Sequence, residues 1–129
     1  MIINFPSRKK VNVNYKNFII KTDQPLEKGG NNTNPDPFSL FISSIGACTG
    51  FYILSFCNER SIPIEDIELI LKTKKNNQNN MIEEININII TKKSFPDKYI
   101  KSIIKVANLC TVKKHLESPP KINISLIKN

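Results

Sequence analysis

The sequence predicts an α+β domain without βαβ repeats, and three observations carry that reading. Apolar and polar residues alternate with a period of two near both ends of the chain. A central span at 38–57 contains no charged residue. A second apolar series, Ile100, Ile103, Ile104 and Ala107, recurs at helical spacing. The order that follows is strands, helix, strands, helix, strand.

The elements can be taken in turn. Val11, Val13 and Tyr15 alternate with Asn12, Asn14 and Lys16, and Phe18, Ile19 and Ile20 follow directly, so two strands joined by a tight turn at Lys16 and Asn17 are expected. Residues 29–35 are a loop by composition, with Gly29, Gly30, three asparagines and Pro35, and show no phosphate-loop pattern. Asp36 then stands at a helix N-cap with Pro37 at the first helical position, which starts the long helix. Ser61, Ile62 and Pro63 end it. Residues 67–73 and 81–91 read as a hairpin around the polar run 74–80. In its second strand Ile85, Ile87 and Ile89 share one face and Glu84, Asn86 and Asn88 the other, the mark of a half-buried antiparallel sheet. Ser94, Phe95, Pro96 and Asp97 open the second helix, which ends near Leu109. A short helix is expected at 111–117, stopped by Pro119 and Pro120, and Ile122, Ile124 and Leu126 alternate as a last strand.

With 129 residues the chain has material for one domain, 1–129, and not for two independent cores. Its 19 basic and 11 acidic residues leave a net charge of +8, which would suit an anionic partner if the cations gathered on one face. Instead lysine pairs are dispersed at 9–10, 74–75, 92–93 and 113–114 with few aromatics between them, which describes a solvated surface and no nucleic-acid partner. Three cysteines and an N-terminal stretch without a signal pattern predict an intracellular, cytoplasmic protein with free thiols. No Cys-x-x-Cys or Cys/His set suggests zinc, and neither metal nor cofactor is expected.

The uncharged span at 38–57 is about long enough to cross a bilayer, and Gly46 and Gly50 have the G-x-x-x-G spacing of membrane-helix dimers. Ser39, Ser43, Ser44, Thr49, Ser55 and two cysteines within it, and amphipathic strands on both sides that need a common core, argue against insertion, so no membrane is expected. The helix is then the buried centre of a globular unit. Its two glycines permit close approach by another backbone, and in a chain this small a second subunit is one source of cover.

The run Pro35-Asp36-Pro37-Phe38-Ser39-Leu40-Phe41-Ile42-Ser43-Ser44-Ile45-Gly46-Ala47-Cys48-Thr49-Gly50 resembles the first cysteine helix of the OsmC/Ohr family. The run Cys110-Thr111-Val112-Lys113-Lys114-His115-Leu116 is similar to the family's C-x-V-x-basic pattern, at a fitting distance, and the turn Thr22-Asp23-Gln24-Pro25 before the glycine loop belongs to the same likeness. What the resemblance implies is an intertwined α+β homodimer in which antiparallel sheets wrap two long central helices. It also implies thiol-dependent reduction of organic hydroperoxides, with Cys48 as attacker, Cys110 as resolver, and a lipoyl-type dithiol or small thiol as reductant. A non-catalytic dimer that binds a small apolar ligand at the subunit seam is the alternative reading.

The candidate residues carry their own chemistry. A thiolate attacking an O–O bond becomes a sulfenic acid, which a second thiol condenses to a disulfide. Cys48 lies mid-helix, where the helix dipole helps little, and needs a cation. The family's arginine corresponds most closely to Arg8, which otherwise merely heads a solvated Arg-Lys-Lys run. The glutamate that orients that arginine is replaced by Ser39, and the nearby Asp36 has the simpler task of capping the helix, so full peroxidase activity is in question. Cys110 precedes a short helix with Lys113 and Lys114 and by dipole alone could be the more acidic thiol. His115 reads as a surface residue, Arg60 as a partner of the helix C-terminus, and Cys57, nine residues from Cys48 and so on the opposite helix face at about 100° per residue, as a packed core thiol.

Overall fold

The structure is a computed structural model that describes residues 1–128. Three strands come first: β1 (Ile2–Ser7), β2 (Lys10–Tyr15) and β3 (Phe18–Thr22). The long helix α1 (Pro37–Asn58) follows, then the hairpin β4 (Ile67–Lys75) and β5 (Ile82–Thr91), and the helices α2 (Ile100–Ala107) and α3 (Thr111–Glu117). All strand pairings are antiparallel: β1-β2-β3 form one sheet and β4-β5 another. The α+β class is as expected. The chain supplies one long helix and divides into two compact units, Met1–Ser44 and a second beginning at Ile45.

In the first unit β2 and β3 meet across the Lys16–Asn17 turn, with Tyr15 paired to Phe18 and Lys16 at φ 52°. Strand β1 was not among the expected elements. Pro6 interrupts its apolar pattern, and its pairing with β2 shifts register between Asn4 and Ser7, as a proline without an N–H requires. The loop that follows β3 is organised by a buried carboxylate. Asp23 accepts hydrogen bonds from the backbone N–H groups of Gln24, Asn31 and Thr33 at 2.8, 3.2 and 3.1 Å and from the Thr33 hydroxyl at 2.8 Å. Thr22, also buried, donates to the Val11 carbonyl at 2.7 Å. Burial by itself pushes the Asp23 carboxyl up, but the four donors outweigh it and bring its pKa down to about 2. Gly30 closes the loop against the Gln24 backbone so tightly that a Cβ would stand 1.8 Å from the Gln24 carbonyl oxygen.

Helix α1 starts as expected. The Asp36 carboxylate accepts the N–H groups of Phe38 and Ser39 at 3.0 and 3.2 Å, and Ser39 donates its hydroxyl to the same carboxylate. That hydroxyl, with the two N–H groups, holds the Asp36 pKa below the usual carboxylate range. At the other end Ser61 takes the left-handed conformation that stops a helix, φ 53°, and Arg60 donates to the Phe56 carbonyl at 3.2 Å while stacking over the Phe56 ring.

The core of the second unit gathers Ile53, Phe56 and Cys57 of α1 with Ile62 and Ile103, flanked by Leu69 of β4, Ile89 of β5, and Tyr99 and Val106. The hairpin pairs Leu69 with Ile89, Leu71 with Ile87 and Thr73 with Ile85, which aligns the apolar sides of both strands. The two glycines of α1 do not receive a backbone, as the spacing suggested. They receive leucine side chains: Leu71 Cδ1 and Leu69 Cδ1 would lie 3.7 and 3.3 Å from a Cβ placed on Gly46 and Gly50. A helix packs on a sheet through side chains, so glycine here makes room for the leucine tips of β4.

The expected last strand is absent. Residues 118–128 have no regular structure, and Ile122, Ile124 and Leu126 are at least 80% exposed. Alternation makes a segment fit to be a strand, but a strand forms only against a hydrogen-bonded neighbour, and this segment has none in its own chain.

Two outcomes follow for the loop at 23–33. Gly30→Ala puts a methyl into the Gln24 backbone, and chemical denaturation should show a loss of about 2 kcal/mol. The Asp23 carboxyl is more acidic in the folded chain, so its contribution is complete above its ordinary value near 3.8 and is lost as pH falls toward about 2. In acid-unfolding curves Asp23→Asn should therefore flatten the dependence of stability on pH between about 4 and 2, and an unchanged slope would contradict this.

Candidate active site

Three free thiols lie in the second unit. Cys48 is on α1 and half-buried. Cys57, on the opposite side of the same helix, is fully buried in the core, and burial pushes its thiol up despite the nearby Arg60 charge. It packs as expected.

Cys110 is the N-cap of α3. Its sulfur accepts the N–H of Lys113 at 3.4 Å, so a thiol stands where serine or aspartate is usual. The helix begins here because Cys110 has a non-helical backbone, with φ −44° and ψ 118°, and its carbonyl accepts Lys114 N–H at 3.1 Å. The side chain is completely buried. Its S–H points at the Ile45 carbonyl of α1, 3.9 Å away, and the Cys48 and Thr49 side chains are near enough to the sulfur to favour its thiolate.

Cys48 and Cys110 are thus neighbours, although 62 positions apart in the chain. Ile45, Cys48, Thr49 and Tyr52 follow one another at helical spacing along one ridge of α1. The start of α3 lies on that ridge. Tyr52 adds a hydrogen bond between its hydroxyl and that of Thr111, 3.1 Å apart.

Two effects compete at the Cys110 sulfur. Burial favours the neutral thiol, while the N–H groups of Lys113 and Val112 and the donors Cys48 and Thr49 favour the thiolate. The donors win, and Cys110 is more acidic than an ordinary cysteine. The start of a helix thereby does what its dipole and free N–H groups allow, as its position before α3 suggested.

Next to this pair is an open, mainly apolar groove of about 1000 Å³ between α1, β5, α2 and α3. Ile85, Ile87, Ile100 and Ile104 line it, with Lys113 and Leu116 from α3. Ile45 and Thr49 belong both to the groove and to the surroundings of the Cys110 sulfur.

The other candidates have these local settings. Arg8 is exposed in the β1–β2 turn of the first unit, with a left-handed backbone at φ 39°. Ser39 and Asp36 bond to each other at the start of α1. The exposed His115 places Nδ1 2.8 Å from the Thr111 carbonyl, one helical turn back. No group of three or more His, Cys, Asp and Glu residues suited to a metal ion occurs among the described residues. Sequence reasoning passed over Thr49 and Tyr52. The signal was available in their spacing from Cys48, but only the packing of α3 on α1 gives that spacing meaning.

Comparison with known proteins bears on the family and the fold. A family model described as OsmC-like protein matches residues 29–125. Among solved structures, the chain is similar to a candidate osmotic stress induced and detoxification response protein from Psychrobacter arcticus 273-4, with a TM-score of 0.72 and 20% identity over 88% of this chain and 84% of that one. It also resembles a hypothetical protein from Aquifex aeolicus VF5, with a TM-score of 0.67 and 18% identity over 92% and 86%. A third likeness is to an organic hydroperoxide resistance protein OsmC from Legionella pneumophila, with a TM-score of 0.57 and 15% identity over 89% and 85%. A search of curated proteins finds none that matches the sequence.

The cap geometry makes a direct prediction for thiolate absorbance at 240 nm, read against pH. Cys110→Ser should remove the absorbance that develops below the ordinary cysteine range, and Cys57→Ala should remove a component above it. Low-pH absorbance that survives in Cys110→Ser would mean that the N-cap does not hold a thiolate.

Proposed function

The chain belongs to the OsmC-like protein family, and on that premise we propose that it is a thiol-dependent peroxidase that reduces organic hydroperoxides with Cys48 and Cys110. The observation that carries this reading is the meeting of a half-buried thiol with a buried, acidified one beside an apolar groove. The family's link to hydroperoxide resistance, present in the name of the Legionella relative, points the same way.

Cys48 is the attacking thiol in this scheme, because it is the less buried of the two. Its thiolate takes the terminal oxygen of ROOH, the O–O bond breaks, and the alkoxide leaves as ROH after taking a proton. Cys48 is now a sulfenic acid. The Cys110 thiolate attacks that sulfur, the S–OH bond breaks, the departing hydroxide takes a proton from solvent to become water, and a Cys48–Cys110 disulfide forms before further oxidation. A lipoyl-type dithiol or a small thiol restores both thiols by exchange, carrying away the two electrons given to the peroxide. The isoleucines of the groove suit the alkyl part of the substrate.

Arg8, from its own chain or a partner's, is the cation that stabilises the Cys48 thiolate in this reading, without the family glutamate. A homodimer supplies cover for the apolar residues that α1 leaves exposed, Phe38, Phe41, Phe51 and Leu54. Although α1 is long and apolar enough to span a bilayer, with a mean hydropathy of 1.7, a packed helix pair accounts for it in a cytoplasmic protein.

The test is thiol titration after treatment with cumene hydroperoxide. Cys48 and Cys110 should both lose their free thiols and regain them with a dithiol. Cys48→Ser should retain all remaining thiols, and Cys110→Ser should stop at a sulfenic acid that dimedone traps. Arg8→Asn keeps a residue that tolerates the left-handed turn and should slow peroxide consumption by about tenfold or more. Wild-type thiols that stay titratable under excess hydroperoxide would favour the ligand-binding dimer instead.

A further inference from the structure

From the ridge of α1 we infer that Tyr52 and Thr49 are positioning residues for the resolving thiol: they hold the start of α3 on α1, so that Cys110 stands ready beside Cys48. This deepens the peroxidase reading and rests on it for its biological meaning.

The geometry is specific. Cys110 is tied to its helix only by the sulfur cap on Lys113 N–H and by its carbonyl on Lys114 N–H, and α3 is only seven residues long, too short to be stable by itself. What fixes its position must come from outside. Ile45, Thr49 and Tyr52 lie at i, i+4 and i+7 on α1, and each meets the same two-residue segment: Ile45 through its carbonyl at Cys110, Thr49 as a buried neighbour of the Cys110 sulfur, and Tyr52 through its hydroxyl at Thr111. Thr49 is buried, and Tyr52 is half-buried with its hydroxyl 3.1 Å from that of Thr111. Cys48 lies on the same ridge, between Ile45 and Tyr52. The grip on α3 and the attacking sulfur therefore share one rigid support.

The hydrogen bonds and the Cys48–Cys110 disulfide order the same two elements, so each should strengthen the other. With the grip loosened, the reduced segment gains freedom that disulfide formation must again remove. The pair should then be a weaker disulfide former, whether the oxidant is a peroxide or another disulfide.

The test separates this inference from the peroxidase reading by using two oxidants. In buffers of reduced and oxidised glutathione, mass spectrometry of the Cys48–Cys110 disulfide gives its equilibrium constant without any hydroperoxide. Tyr52→Phe and Thr111→Val should each lower that constant about fivefold, and the double variant should lower it no further, because both remove one bond. Thr111→Ser should preserve it. Thr49→Val should also lower it and move the Cys110 thiolate absorbance to higher pH, whereas Thr49→Ser should leave both unchanged. With cumene hydroperoxide, Tyr52→Phe should increase dimedone trapping of Cys48 relative to disulfide while the initial loss of the Cys48 thiol keeps its rate.

A constant unchanged in Tyr52→Phe and Thr111→Val, or one that falls additively in the double variant, would overturn the inference even if the peroxidase reaction proceeds. A fall of the expected size would uphold it even if no hydroperoxide reacts, and only the peroxidase reading would then be lost. General unfolding as the cause would appear as a lowered Tm in Tyr52→Phe with the constant restored by a stabilising temperature shift, and that result would also count against positioning.

Discussion

The cap that the Cys110 sulfur makes on α3 is the interaction on which the proposed chemistry depends. A buried sulfur in a low-dielectric setting would ordinarily be a neutral, inert thiol. Here the free N–H groups at the start of a short helix converge on it, and the Cys48 and Thr49 side chains of the facing helix add to their effect. Burial and activation are therefore not in conflict: the donors that reverse the effect of burial are themselves held in place by the packing that buries the sulfur.

That packing in turn rests on α1. One side of this helix receives the leucines of β4 in the space left by Gly46 and Gly50 and continues along the same stripe into the core through Ile53 and Cys57, and the ridge from Ile45 to Tyr52 receives α3. An apolar helix with no charged residue can serve several neighbours at once, because no direction around it must be kept for solvent. The sides that meet nothing in the chain carry exposed aromatic residues. The same incompleteness marks the two-stranded sheet of β4 and β5 and the unpaired apolar run at 122–126. These surfaces are what a subunit relying on a second copy for part of its cover would show, which is why the homodimer belongs to the proposed function.

The start of α1 bears on the expectation, drawn from the family resemblance, that Ser39 replaces a glutamate. Ser39 bonds to Asp36, whose carboxylate is already engaged by two backbone N–H groups. A carboxylate so occupied caps a helix well and is poorly disposed to orient a distant arginine. The Asp23 loop, by contrast, was named in the sequence only as a turn, although its carboxylate collects four donors. Its role escaped notice because three of those donors come from residues 31 and 33, which composition describes only as loop.

What the sequence determined by itself is local. Alternation of isoleucine with polar residues placed the hairpin and the β2–β3 pair, Asp36 and Pro37 placed the start of α1, and spacing put Cys57 opposite Cys48. Each depends on neighbours within a few positions, where backbone periodicity and capping decide the outcome. Pro6 obscured β1 for the same local reason, by breaking its pattern. The resemblance already paired Cys48 with Cys110, but only the tertiary structure decided that α3 lies on the ridge of α1 that brings them together, that leucine tips and not a backbone fill the glycine notch, that Tyr52 bonds to Thr111, and that the run at 122–126 finds no strand to pair with. Those are questions of which distant segments come to lie side by side, and they are answered by the burial of apolar area across the whole chain, a quantity that no short stretch of sequence contains.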